Sequence, residues 1–174
     1  MPRYKKKITR QMSYEKFAEA IAELPIMRQA FLSILFFAGV RVSEALALTL
    51  EDVTCSGNTI YIEFFRLKGS KQTDPVPLPR NSALYWLCDK GTVLTRDQRI
   101  FPFSRTTAYR LVRKTFGLYP HYFRMNRITW ISENFGDAQV YSFTGICAQS
   151  IDHYRGKVDI KKVGKALLKE TKGV

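Results

Sequence analysis

The chain has 174 residues, of which 45% are hydrophobic, and 28 lysines and arginines against 15 acidic residues give it a net charge of +13. This length and apolar content fit one globular domain with its own hydrophobic core. The longest apolar run, residues 30–40, has eleven residues, which is too short for the roughly 20 that cross a bilayer. No apolar signal segment follows the basic N-terminus. We therefore expect no membrane partner.

The cysteines and histidines do not follow a metal-binding pattern. Cys55, Cys88 and Cys147 are odd in number and lack CxxC spacing, and His121 and His153 are too few for the common zinc sites. The sequence therefore predicts a reducing compartment, no structural metal and no cofactor.

The positive charge is concentrated at the two ends. Residues 1–10 contain five cations and no acids, and residues 155–174 contain seven cations and two acids, so the ends carry +10 of the +13. Such ends can be solvated tails that keep a protein soluble, or segments that bind a polyanion by neutralising its phosphates.

The first third of the chain is predicted to be helical. Ser13 is a suitable N-cap for a helix over 13–24, and a mostly apolar helix over 27–38 should lie centrally and end at Gly39. Ser43 is then predicted to cap a short helix over 44–48.

A small sheet is predicted next. Residues 59–67 are rich in β-branched and aromatic side chains, and 76–78 form a second short strand after the basic turn 68–71. This pattern indicates a β-hairpin with a lysine in its turn.

The rest of the chain is again predicted to be helical. Capping residues indicate further helices over 81–89, 105–116 and 120–134. A helix over 137–154 should be broken near Gly145, and a short amphipathic helix is expected in the tail. The predicted fold is therefore α+β and mainly α, with a small antiparallel sheet packed on a helical bundle.

Four segments carry the candidate site residues. Arg41 follows Gly39 in Gly-Val-Arg-Val-Ser-Glu, where Glu44 can hold its guanidinium, and Lys68 lies in the hairpin turn. The other three candidates are His121 and Arg124, at i and i+3 on one helix face, and Tyr154, flanked by His and Arg. Taken alone, each segment also has an ordinary structural explanation.

Together and in this order, these segments resemble the catalytic domain of the tyrosine recombinases, the phage-type integrases. That family has Arg in a Gly-Leu/Val-Arg-Ile/Val-Ser-Glu-Leu box, Lys in a β-hairpin Gly-Lys-Gly-x-Lys turn before Val-Pro-Leu, His-x-x-Arg at a helix start, and a tyrosine about thirty residues later. The resemblance covers roughly residues 13–170 and implies the catalytic set Arg41, Lys68, His121, Arg124 and Tyr154.

Two positions depart from the family pattern. Met125 stands where a second His usually follows the second Arg, and the window Thr144–Ile146 lacks the usual His or Trp. This divergence is similar to that of archaeal virus and plasmid integrases.

The resemblance implies a site-specific DNA recombinase that cleaves and rejoins DNA without a metal, through a 3′-phosphotyrosyl intermediate, and integrates viral or plasmid DNA. The implied partners are double-stranded DNA and further copies in a tetrameric synapse, with a monomeric free protein in the cytoplasm of the host cell. A type IB topoisomerase-like enzyme and a non-catalytic DNA-binding protein of the same fold remain open alternatives. Tyr141 is a rival nucleophile, although it follows Arg124 by only seventeen residues.

The same resemblance gives a domain organisation. Residues 1–12 are expected to form a basic arm or linker, 13–157 the catalytic domain, and 158–174 a basic tail helix that contacts a neighbouring copy or the protein's own core. The N-terminal core-binding domain of the family is expected to be absent from this chain.

Overall fold

The fold is mainly helical with one small antiparallel sheet, as the sequence predicted. The computed structural model describes residues 11–65, 74–79, 81–89, 95 and 97–146. In these ranges the chain forms α1 (Tyr14–Ile21), α2 (Ile26–Ala38), α3 (Val42–Ala47), a 3-10 turn (Leu50–Asp52), β1 (Val53–Ser56), β2 (Thr59–Ile62), β3 (Val76–Pro79), α4 (Ser82–Asp89), α5 (Arg105–Phe116), α6 (His121–Phe135) and α7 (Asp137–Thr144).

The strands form an antiparallel sheet in the order β1-β2-β3. Ile62 pairs with Val53 on one side and with Val76 on the other. Alternate residues of β2 and β3 are buried, so one sheet face joins the core and the other faces solvent. The predicted pairing of 59–67 with 76–78 is thus confirmed for the described residues, and the turn that contains Lys68 lies outside them.

Helix α2 lies at the centre of the core, as its apolar composition predicted. It packs against α3, α4, α6 and β3, and residues Ala30 to Leu35 are fully buried. Aromatic rings tie α1 and α6 to it: Phe17 stacks on Phe36 at 4.2 Å between centroids, and Phe123 meets both rings edge-on. This packing fixes α6 against the C-terminal end of α2.

Two of the predicted serine N-caps are confirmed and a third is wrong. Ser13 and Ser104 accept hydrogen bonds from the backbone N–H three residues on, as N-caps do. The prediction that Ser43 caps α3 is wrong, because that helix begins at Val42 and its N-cap is Arg41. The reason is Glu44, whose carboxylate reaches back to accept the Arg41 backbone N–H at 2.9 Å.

Two cysteines form a disulfide that the sequence did not predict. Cys55 in β1 is bonded to Cys88 in α4, with their Cα atoms 6.1 Å apart. The expectation of a reducing compartment rested on the odd cysteine count and did not foresee a disulfide. The pairing depends on how α4 packs against β1, which the cysteine count does not reveal. The disulfide fastens the sheet to the helix that follows it.

Several predicted features lie outside the described residues. These are residues 1–10 of the basic arm predicted over 1–12, the tail helix over 158–174, and the two candidate site residues Lys68 and Tyr154. Within the part that is described, no helix has the length and apolar character needed to span a membrane.

Candidate active site

The candidate site starts where α2 ends. Gly39 terminates the helix in the left-handed region, with φ 59°, and its N–H donates to Leu35 O. A Cβ at this position would lie 2.6 Å from Cβ of Arg127, which is closer than side chains pack. Both the backbone conformation and the lack of space therefore require glycine here.

Arg41 lies two residues after Gly39 and is held by Glu44. Its guanidinium Nη1 donates to Glu44 Oε1 at 2.7 Å, as the sequence predicted, and its backbone N–H donates to the other carboxylate oxygen. Glu44 is only 1% exposed, whereas the Arg41 side chain is 29% exposed. The carboxylate thus fixes the arginine from the protein side, while the guanidinium remains accessible.

Arg124 connects α6 with the ends of two other helices. It is 1% exposed, and its Nη1 donates to Gly39 O at 2.8 Å while Nη2 donates to Thr144 O at 3.4 Å. The Thr144 hydroxyl in turn donates to Val140 O at 2.7 Å, which ties the end of α7 together. Thr144 belongs to the window that lacks the family's His or Trp, and in this chain its carbonyl supports the buried arginine.

Three of the five predicted residues line one cleft. The cleft has a volume of about 350 Å³ and lies between the start of α3, the first half of α5 and the start of α6. Its lining consists of Val40, Arg41, Val42, Ser43, Arg105, Tyr109, Tyr119, Pro120, His121 and Arg124. None of these residues is acidic, so the described part of the cleft is suited to an anion. A larger cavity, of about 610 Å³, is lined by none of the predicted site residues.

Two tyrosines that are not among the predicted site residues also line the cleft. The rings of Tyr109 and Tyr119 lie 5.9 Å apart, and the Arg113 guanidinium stands 4.9 Å from the Tyr119 ring centroid. Arg105 joins Tyr109 at the cleft. The sequence contains a signal for Arg105 and Tyr109: their i, i+4 spacing puts both side chains on one side of α5.

Desolvation, hydrogen bonds and positive charge shift the pKa values of groups in the site. His121 is exposed in the cleft, yet the protein atoms around its ring still desolvate it, and this lowers its pKa below the usual 6.5. The positive charges of Arg124 and Arg41 lower it further. His121 is therefore mainly neutral at pH 7, so it can accept a proton.

The buried carboxylate responds to the same cations. Burial of Glu44 by itself would raise its pKa, but hydrogen bonds from the Arg41 backbone and side chain oppose this effect. The charges of Arg124 and Arg41 act in the same direction as those bonds, and the net pKa lies below 4.5. Glu44 is thus ionised at neutral pH and forms a charged pair with Arg41.

The chain belongs to the phage integrase family, whose sequence profile matches residues 7–139. This family comprises the tyrosine recombinases, and the match includes Arg41, Lys68, His121 and Arg124 but ends before Tyr154. Comparison with curated proteins gives no significant match.

Solved structures share the fold. A XerH site-specific recombinase in a post-cleavage complex with a palindromic difH substrate superimposes with a TM-score of 0.74, at 18% identity over 92% of this chain. XerA recombinase gives a TM-score of 0.64 at 17% identity over 90%, and the Tn1549 transposon integrase with transposon right end DNA gives 0.62 at 13% over 95%. This chain spans 52% of that XerH chain, 64% of the XerA chain and 67% of the Tn1549 chain.

Proposed function

We propose that this chain is the catalytic domain of a site-specific DNA recombinase that breaks and rejoins strands through a covalent 3′-phosphotyrosyl intermediate. The observation that carries the proposal is the joint presence of Arg41, Arg124 and His121 around one cleft whose described lining contains no acid. Two guanidiniums at one small cleft are suited to a phosphate with charge on its two non-bridging oxygens.

The proposed reaction is a phosphoryl transfer without a metal. The Tyr154 hydroxyl attacks a backbone phosphorus, a bond forms between phosphorus and the tyrosine oxygen, and the bond to the 5′ oxygen breaks. His121 accepts the tyrosine proton, and Lys68 donates a proton to the leaving 5′ oxygen. A 5′ hydroxyl from a partner strand then attacks the intermediate, so the backbone is restored without an external energy source.

The arginines stabilise the transition state in this mechanism. Negative charge develops on the non-bridging oxygens as phosphorus becomes pentacoordinate, and fixed donors act there without reorganisation. Glu44 holds Arg41, and the carbonyls of Gly39 and Thr144 hold Arg124. A guanidinium carries five N–H donors, so the same group can be held by the protein and bind a phosphate.

The lowered pKa of His121 supports its assignment as proton acceptor. A tyrosine with its ordinary pKa near 10 is a weak nucleophile at pH 7, so it needs a neutral base or a strongly positive surrounding. The desolvated ring of His121 provides the neutral base, and Arg41 and Arg124 provide the positive surrounding.

The proposed substrate is double-stranded DNA, and the proposed biological role is integration of viral or plasmid DNA. Support comes from the family membership and from solved relatives that are described as bound to DNA. We further propose that the protein is monomeric when free and assembles into a tetrameric synapse on DNA. Sedimentation with and without a DNA duplex would detect the change in mass.

A nicked suicide substrate tests the proposed activity. Cleavage next to the nick releases a short fragment, so religation fails and the covalent adduct accumulates. The full 174-residue chain should form an adduct that survives denaturing electrophoresis, and Tyr154→Phe should form none. Tyr141→Phe is the matched control and should behave as the unchanged protein. An adduct with Tyr154→Phe, or none with any variant, would refute the proposed mechanism.

A further inference from the structure

Arg127 makes an unusual set of contacts one turn after Arg124 on α6. Its Nε and Nη2 both donate to the backbone carbonyl of Phe36, at 3.2 and 3.1 Å. The guanidinium also lies 4.8 Å from the ring centroid of Trp130 and 5.5 Å from that of Phe36. Among the described residues, the Arg127 side chain hydrogen-bonds to this carbonyl and to no carboxylate.

The carbonyl that Arg127 binds belongs to the last turn of α2. Carbonyl groups at a helix C-terminus lack partners within the helix and carry the negative end of its dipole. A cation that donates two hydrogen bonds there therefore stabilises the helix end. Desolvation lowers the pKa of Arg127 to about 10, so the side chain still carries its charge at pH 7.

Arg127 also limits the position of Gly39 from the side. Its Cβ and Cγ occupy the space where a Gly39 side chain would lie. Arg124 holds the same residue through its carbonyl oxygen. Two arginines spaced i and i+3 on α6 thus fasten the end of α2 at two points, Phe36 and Gly39, just before the chain continues to Arg41.

We propose that Arg127 is a positioning residue, which fixes the end of α2 and thereby holds Arg41 and Arg124 at the separation that binds one phosphate. This inference rests on the proposed function only for the identity of the bound group. Lysine cannot replace arginine in this role, because an ammonium is a point charge and lacks the planar fork that binds one carbonyl twice while it stacks on rings.

The titration of His121 reports the arrangement directly, without DNA. Desolvation lowers the pKa of His121, and the charges of Arg124 and Arg41 lower it further, whereas Arg127 is not among the causes. If Arg127 positions those two arginines, its loss should let them move away from His121 and the pKa should rise toward 6.5. The chain has only two histidines, so a His153→Gln background leaves one imidazole to follow by NMR.

The experiment compares three variants in that background. Arg127→Met and Arg127→Lys should both raise the pKa of His121, and the lysine variant excludes a mere effect of lost charge. Arg28→Met is the matched control, because Arg28 is an exposed arginine near the other end of α2, and it should leave the pKa unchanged. Thermal unfolding identifies variants that remain folded at the titration temperature.

Kinetics on the nicked substrate provide the second measurement. Misplacement of the arginines by about 1 Å should slow adduct formation at saturating DNA by roughly ten- to a hundred-fold. The DNA concentration for half-maximal rate should change little, because most phosphate contacts lie elsewhere on the duplex. Absence of cleavage by the unchanged protein would refute the proposed function, while the titration would still decide the role of Arg127.

A milder variant covers the case in which Arg127→Met and Arg127→Lys do not fold. Trp130→Leu removes one ring of the stack and leaves the arginine in place, and Trp130 is 39% exposed, so the fold should tolerate the change. It should raise the pKa of His121 in the same direction by a smaller amount. An unchanged His121 pKa in folded Arg127→Lys, or in Trp130→Leu where the arginine variants do not fold, would overturn the proposal.

Discussion

Arg124 donates a hydrogen bond of 2.8 Å from Nη1 to the backbone carbonyl of Gly39, and this bond joins two motifs that lie 85 residues apart in the sequence. Gly39 precedes Arg41 by two residues, so the buried arginine of α6 directly supports the segment that presents the exposed one. Arg41 and Arg124 are therefore parts of one local structure.

Replacement of Gly39 by alanine should be strongly destabilising. The positive φ costs about 1–2 kcal/mol for a residue with a Cβ, and the contact with Arg127 should add about 1–3 kcal/mol. Gly57→Ala is the matched control, because Gly57 also has a positive φ but a Cβ added there would meet no atom within 4 Å. Urea unfolding of both variants separates the cost of crowding from the cost of backbone strain. Equal losses of unfolding free energy in the two variants would contradict the close approach of Arg127 to Gly39.

Glu44→Gln should lower stability at pH 7 by about 1–3 kcal/mol. The change removes the charge of a buried carboxylate that pairs with the partly exposed Arg41. The pKa of Glu44 is lower in the folded state than 4.5, so its contribution is present above the unfolded-state pKa and is lost as pH falls through the folded-state value.

Urea unfolding of Glu44→Gln and the unchanged protein from about pH 7 to about pH 3 measures this effect. The difference in unfolding free energy between the two proteins should be largest near pH 6 and should shrink below about pH 4.5. A difference that stays constant across this range would mean that the ionised form of Glu44 is not the stabilising one.

His121→Gln should slow adduct formation on the nicked substrate by about a hundred-fold, a typical value for loss of a general base. With the unchanged protein, the rate should fall on the acid side once His121 is protonated, at a pH below its usual pKa of 6.5. The glutamine variant should lack this acid limb. A pH–rate profile with the same limb in both proteins would assign it to another group.

Reduction of the Cys55–Cys88 disulfide should lower the free energy of unfolding by about 3–4 kcal/mol, since the bond closes a loop with a sequence separation of 33. Cys147→Ser in all samples removes the third thiol. Urea unfolding with and without reductant measures the change, and Cys55→Ser should match the reduced protein and be insensitive to reductant. Equal stability of the oxidised and reduced proteins would contradict this role.

Local signals in the sequence predicted much of the fold. The serine caps at Ser13 and Ser104 and the stop at Gly39 depend on side chains a few residues away, so they are visible in the sequence itself. The same locality explains the error at Ser43: two capping schemes compete, and the reach of Glu44 back to Arg41 decides between them.

Features that depend on distant packing could not be predicted. Arg127 has the sequence context of an ordinary helix residue, because its partner, the Phe36 carbonyl, lies 91 positions earlier in the chain. The pairing of Cys55 with Cys88 likewise follows from how α4 packs against β1, and the meeting of Tyr109 with Tyr119 follows from how the segment after α5 packs on that helix. The cleft residues Arg41, His121 and Arg124 could be predicted because a family pattern carries such long-range information.

Identification of the residue that becomes bonded to DNA tests the proposed mechanism most directly. The adduct trapped on a nicked substrate can be digested with protease and nuclease, and mass spectrometry then locates the nucleotide remnant on a peptide. The mechanism predicts a remnant joined through its 3′ phosphate to Tyr154. A remnant on Tyr141, Tyr109 or Tyr119, or one joined through a 5′ phosphate, would contradict it.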